Sequence, residues 1–220
     1  MWVDRNGDAR ALSGVPARNQ EEPRLSPDRE KIAVQVRGDS LNGADIWVYD
    51  TVHGSQTRLT FKGRNGFPIW SPDGKSLVYY SRNASGHANL YMMNASDASS
   101  PARQLTTSDC DQRPSSWTAA GNLIAFLEDH PGGTNQIWVL PMDGDQKPRL
   151  FLESRESRFE LRHPEFSPDG KWMAYSSNES GTWAVYVRAY PGPAPGEPYQ
   201  VSPGGGKSPI WVAGGREILY

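Results

Sequence analysis

The chain is poor in most of what would mark an activity from sequence alone. It has one cysteine, Cys110, in 220 residues. That excludes an internal disulfide framework and a cysteine-based zinc site, and leaves an ordinary loop thiol, since reactivity needs an electropositive setting. No apolar run approaches the roughly 18–20 residues needed to span a bilayer, so no membrane insertion is expected, and residues 1–12 lack the apolar centre of a secretory signal. Charge of one sign is also missing: 23 Lys and Arg stand against 25 Asp and Glu, mixed along the chain. This is no electrostatic footprint for nucleic acid. A sustained 3.6-residue apolar period with caps is absent as well, so helix content should be low.

Motifs that carry chemistry are equally scarce. No Gly-x-Ser-x-Gly nucleophile elbow occurs, and the four histidines (His53, His87, His130, His163) sit in separate loops without metal-ligand spacing. The stretch Gly204, Gly205, Gly206, Lys207, Ser208 resembles the end of a phosphate loop. It has Val201 where the earlier glycine belongs, and Pro209 opens a strand rather than a helix. Asp109 with Asp111, and Asp143 with Asp145, lack the distant glutamate of a calcium loop and read as turn residues. Asn83, Asn94 and Asn178 fit glycosylation sequons, a short pattern that by itself carries little weight. No catalytic residue, cofactor or metal is expected.

What the chain has instead is a repeat. Its 18 Pro and 22 Gly recur at intervals, as turns between strands do. Equivalent turn positions fall at Ser26, Ser71, Thr118, Ser167 and Val212, in steps of 45, 47, 49 and 45 residues. A second block begins its apolar pattern at Ile46, Leu90, Ile137 and Val185, and a third follows at residues 57–61, 103–107, 148–152 and 199–203. The order is strand, tight turn, strand, loop, strand, turn, strand. In Ser71-Pro72-Asp73-Gly74, Pro presets φ, Asp can bond its own backbone and Gly accepts positive φ. Arg29 stands at that glycine position in the first unit, so its turn is either strained or differently shaped.

The strand after each turn is apolar on both faces. Ile32, Leu77, Ile124, Met173 and Ile218 form one column, Val34, Tyr79, Phe126, Tyr175 and Tyr220 a second, with Ala33, Val78, Ala125, Ala174 and Leu219 between them. Alternate residues face opposite sides of a sheet, so such a sheet must be covered on both faces. A β-sandwich predicts polar-out alternation and no fixed period, and both fail. Radially stacked four-stranded sheets every 40–50 residues fit. The fold class is therefore all-β, a β-propeller of four-stranded antiparallel blades. The aromatic column at residues 47, 91, 138 and 186 reads as blade core. The expected boundaries are residues 1–22 (half-blade strands and linker), 23–66, 67–112, 113–162, 163–206 and a half-blade at 207–220. Two arrangements fit: about five blades with the two halves clasped, or an open fragment of a larger propeller.

The repeats resemble the WD40-like PD40 propeller repeats of the TolB-like superfamily. The resemblance is carried by Pro68, Trp70, Ser71, Pro72, Asp73, Gly74 and Lys75, and again by Pro164, Phe166, Ser167, Pro168, Asp169, Gly170 and Lys171. Asp45, Ile46, Trp47, Val48 and their counterparts at 136–139 match too, as does the stretch at 177–181. The chain most resembles propeller arrays C-terminal to bacterial serine/threonine kinases and stand-alone TolB-like proteins. The resemblance implies a non-catalytic scaffold that binds a protein or peptide partner, in a periplasmic or other extracytoplasmic compartment, in some cases within a longer kinase- or peptidase-linked chain. Two alternatives are a gating propeller of a prolyl-oligopeptidase-type peptidase and a small-ligand or glycan-binding propeller.

In propellers the loops leading into each blade's first strand ring one face of a central channel. Here those are residues 61–67, 107–113, 153–163 and 203–208. The expected partner-binding residues are Arg64, Asn65, Asp109, Asp111, Arg113, Arg162, His163 and Lys207, with Lys62 and Arg158 beside them. Arg24 and Glu165, inside the first strands, are expected to point into the channel. Loops on a rigid scaffold carry function more often than cores do.

Overall fold

Twenty β-strands and no α-helix occur among the described residues of the computed structural model, namely 2–3, 6–10, 19–38, 43–82, 86–154, 159–191 and 198–220. No helix is therefore long and apolar enough to cross a membrane. Asn83 and Arg158, singled out above, lie outside the described residues, as do parts of the 1–22 segment.

Strands β1 (Trp2–Val3) and β2 (Ala9–Arg10) pair antiparallel. Blade one runs β3 (Gln20–Leu25), β4 (Lys31–Arg37), β5 (Ala44–Asp50), β6 (Gln56–Arg58), each strand paired to the next. Blade two repeats the order with β7 (Arg64–Trp70), β8 (Ser76–Arg82), β9 (Ala88–Asn94) and β10 (Arg103–Gln104). One parallel bridge, Ala44 to Arg64, joins these two blades into a single sheet. Blade three is β11 (Asp111–Trp117), β12 (Leu123–Asp129), β13 (Asn135–Pro141), β14 (Arg149–Glu153). Blade four is β15 (Leu161–Phe166), β16 (Trp172–Ser177), β17 (Ala184–Ala189), β18 (Tyr199–Gln200). A final hairpin pairs β19 (Ile210–Val212) with β20 (Glu217–Leu219).

The chain divides into two compact units, residues 1–86 with 91–103, and residues 87–90 with 104–220. In the first, Ile46, Leu59, Trp70, Leu77, Tyr79 and Met93 form a buried cluster, and Ile32, Val34, Val36 and Tyr49 a second. In the second unit, Leu127, Ile137, Leu161, Tyr175 and Tyr186 pack together, beside Ala125, Val139, Phe166 and Met173. Each fully buried large side chain contributes about 1.5–3 kcal/mol. The two-faced apolar strands are buried in all four blades: Ile32 to Val34, Leu77 to Tyr79, Ile124 to Phe126 and Met173 to Tyr175. In the final hairpin the same columns differ, with Leu219 59% and Tyr220 55% exposed, because no third strand pairs with β20 among the described residues. The aromatic column is buried only at Tyr186; Trp47, Tyr91 and Trp138 are half-buried.

The hairpin turns share one set of bonds. The residue at the glycine position donates its N–H back to the turn's first carbonyl in all five: Arg29 to Ser26, Gly74 to Ser71, Gly121 to Thr118, Gly170 to Ser167 and Gly215 to Val212, at 2.8–3.0 Å. Arg29 has φ 64°, beside 69° at Gly74 and 70° at Gly170. The first turn therefore keeps the common shape and holds an arginine in the left-handed region, where a Cβ costs about 1–2 kcal/mol. The serine hydroxyl donates to the aspartate at Ser71–Asp73 and Ser167–Asp169, both 2.6 Å, and at Ser26–Asp28.

First strands begin earlier than the proline that marks them in the sequence. Pairing continues across it through a bulge of one extra residue, between Glu21 and Arg24, Gly66 and Ile69, and Arg162 and Glu165. In each of these bulges the residue before proline has positive φ: Glu22 (51°), Phe67 (52°) and His163 (51°). Blade three has one more residue between its proline and its turn. It places the bulge at Ser115, between Pro114 and Ser116, and Arg113 is not among the positive-φ residues. Arg64, Asn65, Asp111, Arg113, Arg162 and His163, expected in loops, consequently lie in strands.

Candidate functional site

Each blade has a hairpin end and, opposite it, a leading end where the first strand starts, the second stops and the third starts. Polar side chains join one leading end to the next. In the first unit Asn65, only 1% exposed, gives its amide N–H to the carbonyls of Ala44 (3.2 Å) and Lys62 (2.9 Å). In the second unit Asp111 accepts the Ala88 N–H at 2.9 Å. Buried Asn135 both donates to the Leu161 carbonyl (2.6 Å) and accepts its N–H (2.9 Å). Asn65 and Asp111 thus use their side-chain groups to tie backbone together.

The other expected residues are distributed as follows. Arg24 is half-buried in β3, and its carbonyl accepts the Trp70 indole N–H at 2.9 Å. Glu165 is its counterpart in β15, its carbonyl accepting from Trp211 at 3.1 Å. Arg64 is exposed at the start of β7 and, with Lys62, Phe61 and Tyr79, borders a cleft in the first unit. Burial pushes the Tyr79 phenol up to about 12, so it stays protonated. Asp109 is exposed beside Cys110.

Arg113, Arg162 and Lys207 form a connected group in the second unit, and His163 contacts Ser208, the residue after Lys207. Arg113 is ion-paired with Asp129, and Arg162 with Glu160 through Nε at 2.8 Å and Nη2 at 2.5 Å. Both arginines line one cavity of about 190 Å³, together with Asp129, His130, Asn135 and Glu160. The Arg162 guanidinium also lies 5.8 Å from the ring centre of half-buried Trp183, and the Lys207 ammonium lies 4.6 Å from the same ring. Cations that close to an indole face are held by its quadrupole. His163 Nδ1 is 3.3 Å from Ser208 Oγ, and the Ser208 backbone N–H donates to Ser176 Oγ at 3.0 Å. Pro209 leads into β19 and not into a helix, so the glycine run before it has no helix N-terminus.

Trp183, Glu160 and Asp129 are members of this group that sequence reading missed. Trp183 stands off the aromatic column, immediately before β17, and that displacement was the available signal. The group presents guanidinium and ammonium donors beside an aromatic wall, with carboxylates already partnered by arginine. It is suited to hold carboxylates and peptide groups.

Residues 15–160 match the family model described as the TolB beta propeller domain. The chain is 29% identical over 175 residues to the Tol-Pal system protein TolB of Francisella tularensis subsp. mediasiatica, covering 76% of this chain and 39% of that protein. It is 25% identical over 198 residues to the uncharacterized peptidase YuxL of Bacillus subtilis, covering 73% and 30%. Among solved structures, TolB from Acinetobacter baumannii superposes with a TM-score of 0.74 at 26% identity, over 92% of this chain and 48% of that one. A prolyl endopeptidase structure shares the fold, with a TM-score of 0.64 at 14% identity. The chain thus spans about a third of the length of these curated relatives.

Proposed function

The chain belongs to the TolB β-propeller family, and from that premise we propose that it is a non-catalytic scaffold that binds a protein or peptide partner. The binding surface lies at the leading ends of the blades, the ends that line the channel in a propeller. In the second unit it is built on Arg113, Arg162, His163 and Lys207, and the partner presents carboxylates to it. The observation that carries this reading is the convergence of Arg162 and Lys207 on Trp183 beside the cavity that Arg113 lines. The relation to a Tol-Pal system protein supports a protein partner over a small substrate.

The test uses fluorescence-labelled acidic peptides ending in a free carboxylate, with amidated peptides as controls. Binding should weaken with salt, as exposed charge pairs do, and the triple change of Arg113, Arg162 and Lys207 to Ala should lower affinity tenfold or more, roughly 1.4 kcal/mol. Equal binding by the triple variant would sink the assignment. A second reading, a substrate-gating propeller, is favoured by the peptidase-named relative. A hydrolase domain encoded in the same open reading frame would support it, and a kinase domain there would favour the interaction module.

A further inference from the structure

Three residues that share no sequence motif meet at the leading end of the third blade. The antiparallel register pairs Asp111 with Asp129 and Gln112 with Glu128. Carried one step beyond the strand, it sets Cys110 opposite His130. Cys110 Sγ lies 3.6 Å from His130 Nδ1. On the other side of the ring, Nε2 is 3.0 Å from Glu128 Oε1 and 2.8 Å from Gln136 Oε1. The Gln136 amide is oriented by two further bonds: Trp138 donates to its Oε1, and its own Nε2 donates to Glu153. Both neighbours of His130 Nε2 are thus acceptors, so the proton sits on Nε2 and the Nδ1 lone pair faces the thiol.

A single cysteine excludes a site built on cysteines, and the sequence alone predicts no metal. Against that expectation we propose that Cys110, His130 and Glu128 form a mixed-ligand binding site for a thiophilic divalent cation, with Zn(II) the ion that suits sulfur, nitrogen and oxygen together. One ligand atom from each residue falls within a common 4.8 Å. Ligands about 2.3 and 2.0–2.1 Å from a tetrahedral zinc stand roughly 3.5 Å apart, which the Cys110–His130 pair already meets. Glu128 Oε1 would exchange its contact with His130 Nε2, which keeps Gln136 Oε1 as its acceptor, for the ion, and water completes the set. Glu128 is 7% exposed, and its Oε2 accepts from Gln112 at 2.6 Å; Gln112 is in turn bonded to the Thr106 hydroxyl. The site therefore has the outer hydrogen-bonded layer that orients metal ligands.

The same chain of groups could describe a cysteine nucleophile with its base, and the surroundings decide between the two. A reactive thiolate needs positive neighbours. Here the charged groups beside Cys110 are carboxylates: Glu128, clustered with the thiol and the imidazole, and Asp109, the preceding residue. Those carboxylates attract a cation. On binding, the Zn–S bond forms and the thiol proton passes to solvent. This site does not depend on the peptide-binding reading.

Co(II) added to the untagged full chain is the probe. With a single cysteine in the sequence, any thiolate-to-cobalt charge-transfer band reports Cys110. The expected result is one equivalent bound, with that band and tetrahedral d–d intensity, both abolished by Zn(II). Cys110→Ser should remove the band, and His130→Asn and Glu128→Gln should each weaken binding tenfold or more. In the unaltered chain Zn(II) should also protect Cys110 from iodoacetamide, a readout that needs no variant to fold. No band at Co(II) excess, an unchanged affinity in a folded His130→Asn protein, or alkylation at full rate under Zn(II) would each overturn the proposal.

Discussion

The two ends of a blade are built by opposite means. At the hairpin end, five turns repeat the same backbone bond, and three of them repeat the same serine–aspartate pair. At the leading end, the tie between neighbours is made by an asparagine of the following blade at Asn65, an aspartate of the following blade at Asp111, and an asparagine of the preceding blade at Asn135. Local chain chemistry determines the first, since proline, aspartate and glycine need no partner beyond the next few residues. The second is tertiary. Any side chain that reaches a backbone group across the gap will serve, so each junction has its own solution and its own charge.

The sharpest test of this contrast is Asn135→Ala. It strands the N–H and carbonyl of buried Leu161, each worth about 1–3 kcal/mol, and should cost about 2–4 kcal/mol in denaturant unfolding. A loss below about 1 kcal/mol would mean that water replaces the tie. Next is Gly170→Ala at the hairpin end. Its Cβ would meet only the Thr118 methyl at an ordinary 3.6 Å, so the expected cost of about 1–2 kcal/mol is conformational. Arg29→Gly is the reverse change and should raise stability by about 0.5–1 kcal/mol, read as a higher melting temperature.

The smallest effect at neutral pH becomes visible in acid. A hydrogen bond from the turn serine, then one from the backbone two residues on, holds Asp28, Asp73 and Asp169 below the usual carboxylate range. Their contribution is complete above about pH 4, the ordinary carboxylate value, and drains as pH falls through the lowered folded values. Changing all three to Asn should flatten the melting temperature against pH between about 4 and 2. Among the described residues, Asp50, held low by His53, and Asp97, held at about 2 by Ser100 and Ser99, should leave a residual slope. An unaltered slope would show that the turn carboxylates do not report on folding.

Much of the architecture was legible because it is periodic. The turn spacing, the two-faced apolar strands and the strand order follow from Ser26, Ser71, Thr118, Ser167 and Val212 and the residues after them. The leading ends were harder to read because a proline looks like the start of a strand, whereas pairing in fact passes it through a bulge. That extra residue also changes the register. Near the turn Trp117 faces Ile124, and counting back from that pair would set Cys110 against Pro131; beyond the bulge Pro114 faces Phe126, and His130 takes that place. The Cys110–His130 pair could therefore not be counted out from the turn alone. Of the expected binding residues, Arg113 and Arg162 share a cavity and Arg162 and Lys207 share the Trp183 ring, while Asn65 is spent on backbone.

The tryptophan bonds that link neighbouring blades bear on how such a chain diversifies. The indoles of Trp70 and Trp211 recognise a main-chain oxygen, at Arg24 and at Glu165. Every amino acid offers that atom, so the clasp is blind to the side chain beside it. One copy carries a cation there and the other an anion. A duplicated module can therefore dock against its neighbour on arrival and only later acquire its own surface chemistry, position by position, without renegotiating how the modules hold together.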